Sequence, residues 1–396
     1  MPPEPDVLQA DIRAAYAVIA PYVRRTPLIE AASPIAGAPP ISLKLEFLQH
    51  AGSFKPRGAF HNLLTRAAPP VGCATASGGN HGAAVAFAAA KLGLRARVFV
   101  PEIAAPPKIA KIKAYGAEVV VQGAAYADAQ ALCDAYVAES GALAIHPYAT
   151  AATVAGQGTV GLEWEEDLAR LGLPPIDTAL VAVGGGGLVA GIAAWFDRRV
   201  KVIGVEPEGS RALDAALAAG RPVDVPVKSV AADSLGARSV GAINLAIARR
   251  AVDHVALIAD AAIRAAQRTL WREKQIAAEP GGAAAFAALA SGAPIGRPLA
   301  NGSACCFAAQ TSISRPSRRW SPVENNACRV QIALRRRQTR RGEAGVAAAG
   351  GSHYGPAASR TPARLSRLVG RSQAVRQRIL IPPSPGSNPG APAMPL

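Results

Sequence analysis

No run in this 396-residue chain approaches the ~20 consecutive apolar residues of a membrane-spanning helix, although half of its residues are apolar. The start, Met1-Pro-Pro-Glu-Pro, lacks the basic and then apolar opening of a secretory signal, so a soluble cytoplasmic protein is expected. Cysteine is scarce. Cys73, Cys133, Cys305, Cys306 and Cys328 are odd in number and show no zinc spacing, which argues against both a disulfide framework and a metal cluster. Acidic residues are nearly missing from one region: residues 294–396 hold 16 Arg, no Lys, and only Glu324 and Glu343, a charge of +14. Residues 1–293 keep 27 basic and 25 acidic side chains, or +2, so the body carries little of the overall +16. A net charge distributed this way argues against nucleic acid as a partner of the body.

Between about residues 40 and 290, short β-branched or apolar runs alternate with longer Ala- and Leu-rich helical stretches. This is the pattern of an α/β protein with a parallel sheet covered by helices. Strands are expected at 41–45, 96–100, 117–121, 178–183 and 202–205. Helices are expected at 81–92, closed by Gly93, at 124–140, and at 188–196 directly after four glycines. The chain exceeds the roughly 250–300 residues of a single core, and an appendage explains the excess better than a second full domain. After about Ser291 the periodicity stops and Arg, Pro, Ser and Gly take over, so residues 294–396 are expected to form a disordered basic tail.

One explanation of that tail is a natural basic extension that binds nucleic acid. Another comes from the genetic code. If the last base of each codon is read with the first two of the next, Leu299–Ile313 can encode Gly-Glu-Arg-Val-Gly-Val-Leu-Leu-Cys-Gly-Ala-Asn-Ile-Asp. Several positions hardly depend on codon choice: Cys305/Cys306 always gives Leu, Ala304/Cys305 gives Leu, Val or Met, and Cys306/Phe307 gives Leu or Phe. These are residues of a buried strand. Read backward, the same frame can give Ala-Tyr-Arg-Pro-Ala-Ala, which joins Ser291-Gly292 smoothly. A frameshift near Ala293 is therefore expected, with residues 294–396 out of frame and the last core strand missing from the chain as translated.

Three segments carry chemistry. Leu45-Glu-Phe-Leu-Gln-His-Ala-Gly-Ser-Phe-Lys-Pro-Arg-Gly-Ala59 sets Lys55 in mostly apolar surroundings, where the charged amine is disfavoured and the neutral one can act as a Schiff-base nucleophile and proton carrier. Taken alone, Lys55 reads equally well as a surface lysine at a helix start. Ala76-Ser-Gly-Gly-Asn-His-Gly82 runs into a helix whose free amides suit a carboxylate, with Asn80 able to donate to a phenolate-type oxygen. An ordinary helix cap by Ser77 or Asn80 is the bland alternative. Asp177-Thr-Ala-Leu-Val-Ala-Val-Gly-Gly-Gly-Gly-Leu-Val-Ala-Gly191 is a buried strand, four glycines and a helix, a geometry suited to phosphate. It lacks the lysine of an NTPase loop. Gly156-Gln-Gly-Thr-Val-Gly161 matches a dinucleotide fingerprint letter for letter, but no strand precedes it and the apolar run Thr178–Val183 lies about 20 residues on, where a ribose-binding acid should sit, so it is read as helix packing.

In combination, these motifs resemble the serine/threonine dehydratases of the fold-type II pyridoxal-phosphate (PLP) enzymes, relatives of serine racemase and the tryptophan synthase β subunit, over about residues 8–293. The resemblance implies two open, twisted, mostly parallel sheets flanked by helices. It implies a large cofactor domain of residues 1–71 and 148–293, its last strand missing, and a small domain of residues 72–147. Lys55 would hold the cofactor as a Schiff base, Phe54 would lie against its ring, and Asn80 would bond its 3′ oxygen. Gly184, Gly185, Gly186 and Gly187 with Leu188 would hold the phosphate, and Glu279, in Glu279-Pro-Gly-Gly-Ala283, would lie near the pyridine ring. Ser77, Gly78, Gly79, Asn80 and His81 would line the substrate carboxylate loop.

Racemase-type members carry a second serine as an opposing proton donor where this chain has Gly78, and cysteine synthase-like relatives carry Thr where it has His81. Elimination is thereby favoured over racemisation and β-replacement. Glu206 corresponds to a cation-associated acid in some members, but Ser210 and Ala212 do not continue their acidic pattern, so no metal is expected. The implied function is deaminating β-elimination of L-serine or L-threonine to a 2-oxo acid and ammonia, impaired if the last strand is lost. The competing readings are a serine racemase-like enzyme and an inactive frameshift product or basic-tailed binding protein. The expected partners are a small amino-acid substrate and further copies of the chain in a dimer or tetramer.

Overall fold

The computed structural model describes residues 6–293 and 303–307. Its strands are β1 (Leu28–Ala31), β2 (Ile41–Leu45), β3 (Cys73–Ala76), β4 (Ala96–Val100), β5 (Glu118–Val121), β6 (Leu143–Ala144), β7 (Thr178–Ala182), β8 (Lys201–Pro207), β9 (Val252–Ile258) and β10 (Ser303–Phe307). Its helices are α1 (Gln9–Ile19), α2 (Lys55–Thr65), α3 (Asn80–Lys91), α4 (Pro106–Ala114), α5 (Tyr126–Ser140), α6 (Ala151–Leu171), α7 (Gly187–Phe196), α8 (Ala212–Ala219), α9 (Ala232–Leu235), α10 (Ala242–Ala251), α11 (Asp260–Lys274) and α12 (Pro280–Ala290). Short 3-10 turns at Glu46–Leu48 and His50–Gly52 connect β2 to α2.

Six strands form one sheet in the order β1-β2-β10-β7-β8-β9, and four form a second in the order β5-β4-β3-β6. Every pairing is parallel except that of β1 with β2. The second sheet comes from one continuous stretch, Cys73 to Ala144, between α2 and α6. β2 and β7 are buried along their whole length, as strands covered on both faces must be. α7 is buried all round and is apolar all round to match.

The letter-perfect dinucleotide match lies inside α6 and serves packing. A Cβ on Gly156 would stand 2.7 Å from the Gly58 Cα, and one on Gly158 would stand 2.6 Å from the Ile12 side chain and 2.9 Å from the Gly191 carbonyl. The small residues let α1, α2 and α7 approach α6 closely.

The expectation of a missing last strand is corrected. As translated, Ser303–Phe307 runs as β10 between β2 and β7, with Ala304 opposite Ser42 on one side and Ala179 on the other. The physical reason lies in the two neighbours: both are buried, and the facing backbone edges need a hydrogen-bonding strand between them. Ser-Ala-Cys-Cys-Phe contains neither proline nor charge and can supply those bonds in either reading frame. The remainder of the proposed out-of-frame tail lies outside the described residues.

Candidate active site

Parallel α/β sheets place ligands beyond the carboxyl ends of their strands. The loops after β3 and β7, one from each sheet, and the segment that carries Lys55 supply all but one of the predicted site residues; Glu279 comes from the start of α12. Lys55 is the first residue of α2, followed by Pro56, whose missing N–H is no loss in a helix's first turn. Its residue surface is half-buried, while the amine is packed within protein and donates 2.8 Å to the Pro147 carbonyl. Burial pushes the amine down to about 8. The buried Phe54 ring lies 5.0 Å from the same nitrogen.

In the loop after β3, the Gly79 amide donates to the Ser77 hydroxyl at 3.2 Å, so the loop is held by its own serine. Gly78 is confined: an added Cβ would meet the Ala104 Cβ at 2.6 Å and a Val100 methyl at 2.9 Å. Asn80 opens α3 and donates 2.9 Å to the Glu279 carboxylate, which joins residues 199 positions apart. Burial raises Glu279 to about 7 against the opposing pull of Lys108. The His81 ring is buried and donates to the Ile145 carbonyl at 3.0 Å. Burial, and then the charge of Lys55, press its pKa down to about 3, so the ring is neutral. What His81 can offer a carboxylate is its backbone amide, one of the free first-turn amides of α3.

After β7, Gly184–Gly187 turn into the start of α7, with Gly186 at φ +89°. A Cβ on Gly185 would fall 2.3 Å from the Tyr148 ring, one on Gly187 2.9 Å from the Tyr148 Cβ, and one on Gly184 3.1 Å from Leu235. Asn244 ties the loop down by donating to the carbonyls of Gly185 at 2.7 Å and Tyr148 at 3.0 Å. Leu188 is buried in the first turn of α7.

Pro147, Tyr148 and Asn244 did not emerge from the sequence. A backbone carbonyl has no residue signature, and a lone Tyr or Asn carries no motif. Glu206 is placed by α8 instead of by a ligand set: its carboxylate accepts the amides of Leu213 and Asp214, each at 2.9 Å, and burial raises it to about 8. Among the described residues no group of three or more His, Cys, Asp or Glu could hold a metal ion.

This arrangement fits PLP. A glycine cradle at a helix N-terminus can take the phosphate. A buried amine of lowered pKa can take the aldehyde. The Ser53 hydroxyl, two residues before Lys55, is buried without a partner among the described residues. Residues 19–303 match the family described as pyridoxal-phosphate dependent enzyme, and the chain belongs to it. It is 37% identical over 284 residues to phenylserine dehydratase of Ralstonia pickettii, spanning 68% of this chain and 83% of that one. It is 39% identical over 274 residues to L-threonine ammonia-lyase of Geobacter sulfurreducens, spanning 67% of each. The solved structure of maize serine racemase matches with a TM-score of 0.72 at 30% identity, over 78% of this chain and 95% of that one. The architecture is that of the fold-type II enzymes.

Proposed function

We propose that this enzyme deaminates β-hydroxy amino acids to 2-oxo acids, eliminating water and then taking it up again on hydrolysis, with L-serine and L-threonine first among the substrates. The observation that carries the proposal is the Lys55 amine, held by the Pro147 carbonyl with a pKa near 8 at the start of α2. When bound, PLP supplies the electron sink that makes the substrate's Cα–H acidic. Lys55 would anchor the cofactor and, as a neutral amine, would take the Cα proton. The Gly184–Gly187 amides and the α7 N-terminus would hold the phosphate, and Asn80 would donate to the 3′ oxygen. The Ser77 hydroxyl and the first-turn amides of α3 hold the substrate carboxylate. Loss of the β-hydroxyl as water leaves an enamine that hydrolyses to a 2-oxo acid and ammonium.

Gly78 favours elimination over racemisation, because the loop facing substrate offers no acid-base side chain there and the surrounding space is filled by Ala104 and Val100. The test is 2-oxo acid and D-serine release from the L-amino acids. Oxo-acid release that disappears in Lys55→Ala supports the proposal, whereas D-serine as the main product overturns it in favour of a racemase. The phenylserine dehydratase relative makes L-phenylserine the third substrate to try.

Three further points belong to the same proposal. No described helix is long and apolar enough to cross a membrane, and we place the enzyme in the cytoplasm as a homo-oligomer. The lobes divide at residues 72–147, the range that encloses the second sheet. Residues from near Ala293 onward are out of frame, which puts Ser303–Phe307 where the shifted frame reads Gly-Val-Leu-Leu-Cys, and repair of the frame raises stability and turnover. The nucleotide sequence around codon 293 decides the last point directly.

A further inference from the structure

Two residues beyond Lys55, Arg57 is fully buried, as are Lys44, Glu46 and Glu163, and Asp167 is 1% exposed. Arg57 lies between two carboxylates. Its Nε and Nη2 donate to Glu46, both at 2.8 Å, and its Nη1 and Nη2 donate to Glu163, both at 2.8 Å. A fifth bond, from Nη1 to the Thr159 hydroxyl at 3.2 Å, gives every guanidinium proton an acceptor. Lys44 completes the cluster through Glu163 at 3.0 Å, Asp167 at 2.9 Å and the Thr26 carbonyl at 2.9 Å. Arg25 closes its rim on Asp167 at 2.7 Å.

The partners belong to different elements: Glu46 to the turn before the lysine segment, Arg57 to the first turn of α2, Lys44 to β2, and Glu163 and Asp167 to α6. A buried ion cluster is a poor means of stabilising a fold, because desolvation offsets much of the attraction. Apolar side chains could pack α2 on α6 equally well, but they would leave its rotation and axial position loosely set. A planar fork gripped from two sides sets both. Residues 55 and 57 project about 200° apart around a helix. Fixing Arg57 therefore fixes the opposite direction in which Lys55 leaves the backbone.

We propose that Arg57 is a positioning residue: clamped by Glu46 and Glu163, it sets the first turn of α2 and so delivers the Lys55 amine to the cleft. The proposal rests on Lys55 as the lysine that reacts with the cofactor. Two nearby titratable groups, His81 and His146, are both held neutral down to about 3 and 4 by burial, so neither changes charge while Lys55 titrates.

The test uses the full chain freed of cofactor. Lysines are acetylated competitively across a pH series and read by peptide mass spectrometry, which gives the ionisation midpoint of Lys55, and melting is recorded in parallel. The parent midpoint is expected at about 8. Well below its melting temperature, Arg57→Lys, which keeps the charge and loses the double fork, is expected to raise that midpoint by about one unit or more toward ~10.4, the value of a free lysine. PLP uptake, followed by the visible band of the lysine-bound cofactor, is expected to slow about tenfold. Glu46→Gln moves both readings in the same direction by less, and it carries the test if Arg57→Lys does not fold. Variants that melt lower yet keep the parent's Lys55 midpoint and uptake rate overturn the proposal, since Arg57 would then serve the fold alone. A parent chain that takes up no PLP, with the midpoint still moving in Arg57→Lys, would instead sink the cofactor assignment and leave the positioning role standing.

Discussion

Lys55 stands in front of a cluster of buried charge, whereas the Gly184–Gly187 loop is held by backbone packing, one tyrosine ring and one asparagine. The difference follows from what each side must do. A nucleophilic amine works when neutral, so the cations behind it are paired with carboxylates and leave little net field at the lysine. A phosphate arrives with its own negative charge. Amides and a helix terminus can receive it without any side-chain cation whose pairing would have to be broken first. The lysine side gains its precision from long-range ion pairs, and the cradle gains its precision from the lack of Cβ atoms.

The largest effect is expected on the lysine side, at the group that performs the chemistry. Lys55→Ala should lower 2-oxo acid release by roughly 10²–10⁴-fold, the usual contribution of a positioned acid-base group, with melting of the cofactor-free chain little reduced. Next comes the foundation. Glu163→Leu leaves the Arg57 and Lys44 charges short of an acceptor in the interior, and breaking such a buried cluster from one side costs about 3–5 kcal/mol. Denaturant unfolding measures it, and a loss below about 1 kcal/mol would show that the cluster contributes no more than a surface pair does.

On the cradle side the expected effect is smaller and of another kind. Gly185→Ala places a methyl group 2.3 Å from the Tyr148 ring. Overpacking of this sort costs about 1–3 kcal/mol, which should appear as PLP affinity reduced by roughly tenfold or more while Lys55 keeps its ionisation midpoint. If Gly185→Ala shifts the lysine and leaves PLP affinity alone, the division of labour between the two sides is wrong.

The sequence was most legible where a local pattern and a local geometry coincide. Strands 41–45 and 96–100 fall as expected, because the alternation Ile-Ser-Leu-Lys-Leu and the largely apolar run Ala-Arg-Val-Phe-Val leave little choice. The four glycines announced a close backbone approach, and Lys55 stood out by its surroundings. Arg57 lies inside the same motif, but its role depends on Glu163 arriving from 106 residues away, and nothing in its immediate neighbours encodes that. Pro147 acts through a carbonyl and Asn244 through contacts with Tyr148 and Gly185, so residue type alone could not single them out. The last strand was misjudged for a related reason. Its side chains were read as lost, while its place between β2 and β7 is claimed by backbone bonds that do not depend on them.

The remaining effect tests the electrostatics of the lysine side most directly. Burial lowers the Lys55 amine from 10.5 to about 8, so in the cofactor-free protein a charged Lys55 is held at a loss. The folded-state pKa lies below the unfolded one, and between the two the unfolded chain binds more protons, so stability rises with pH across that window. The penalty is complete below about pH 8 and gone above about pH 10.5. Lys55→Met, which retains the stem and removes the charge, should therefore melt above the parent at pH 7, with the gap narrowing steadily between pH 8 and 10.5. A gap that stays constant with pH would mean that the amine is solvated in the folded chain. The amine would then keep its unfolded-state pKa, and neither burial nor the pairing of the surrounding charges would explain why this lysine is reactive.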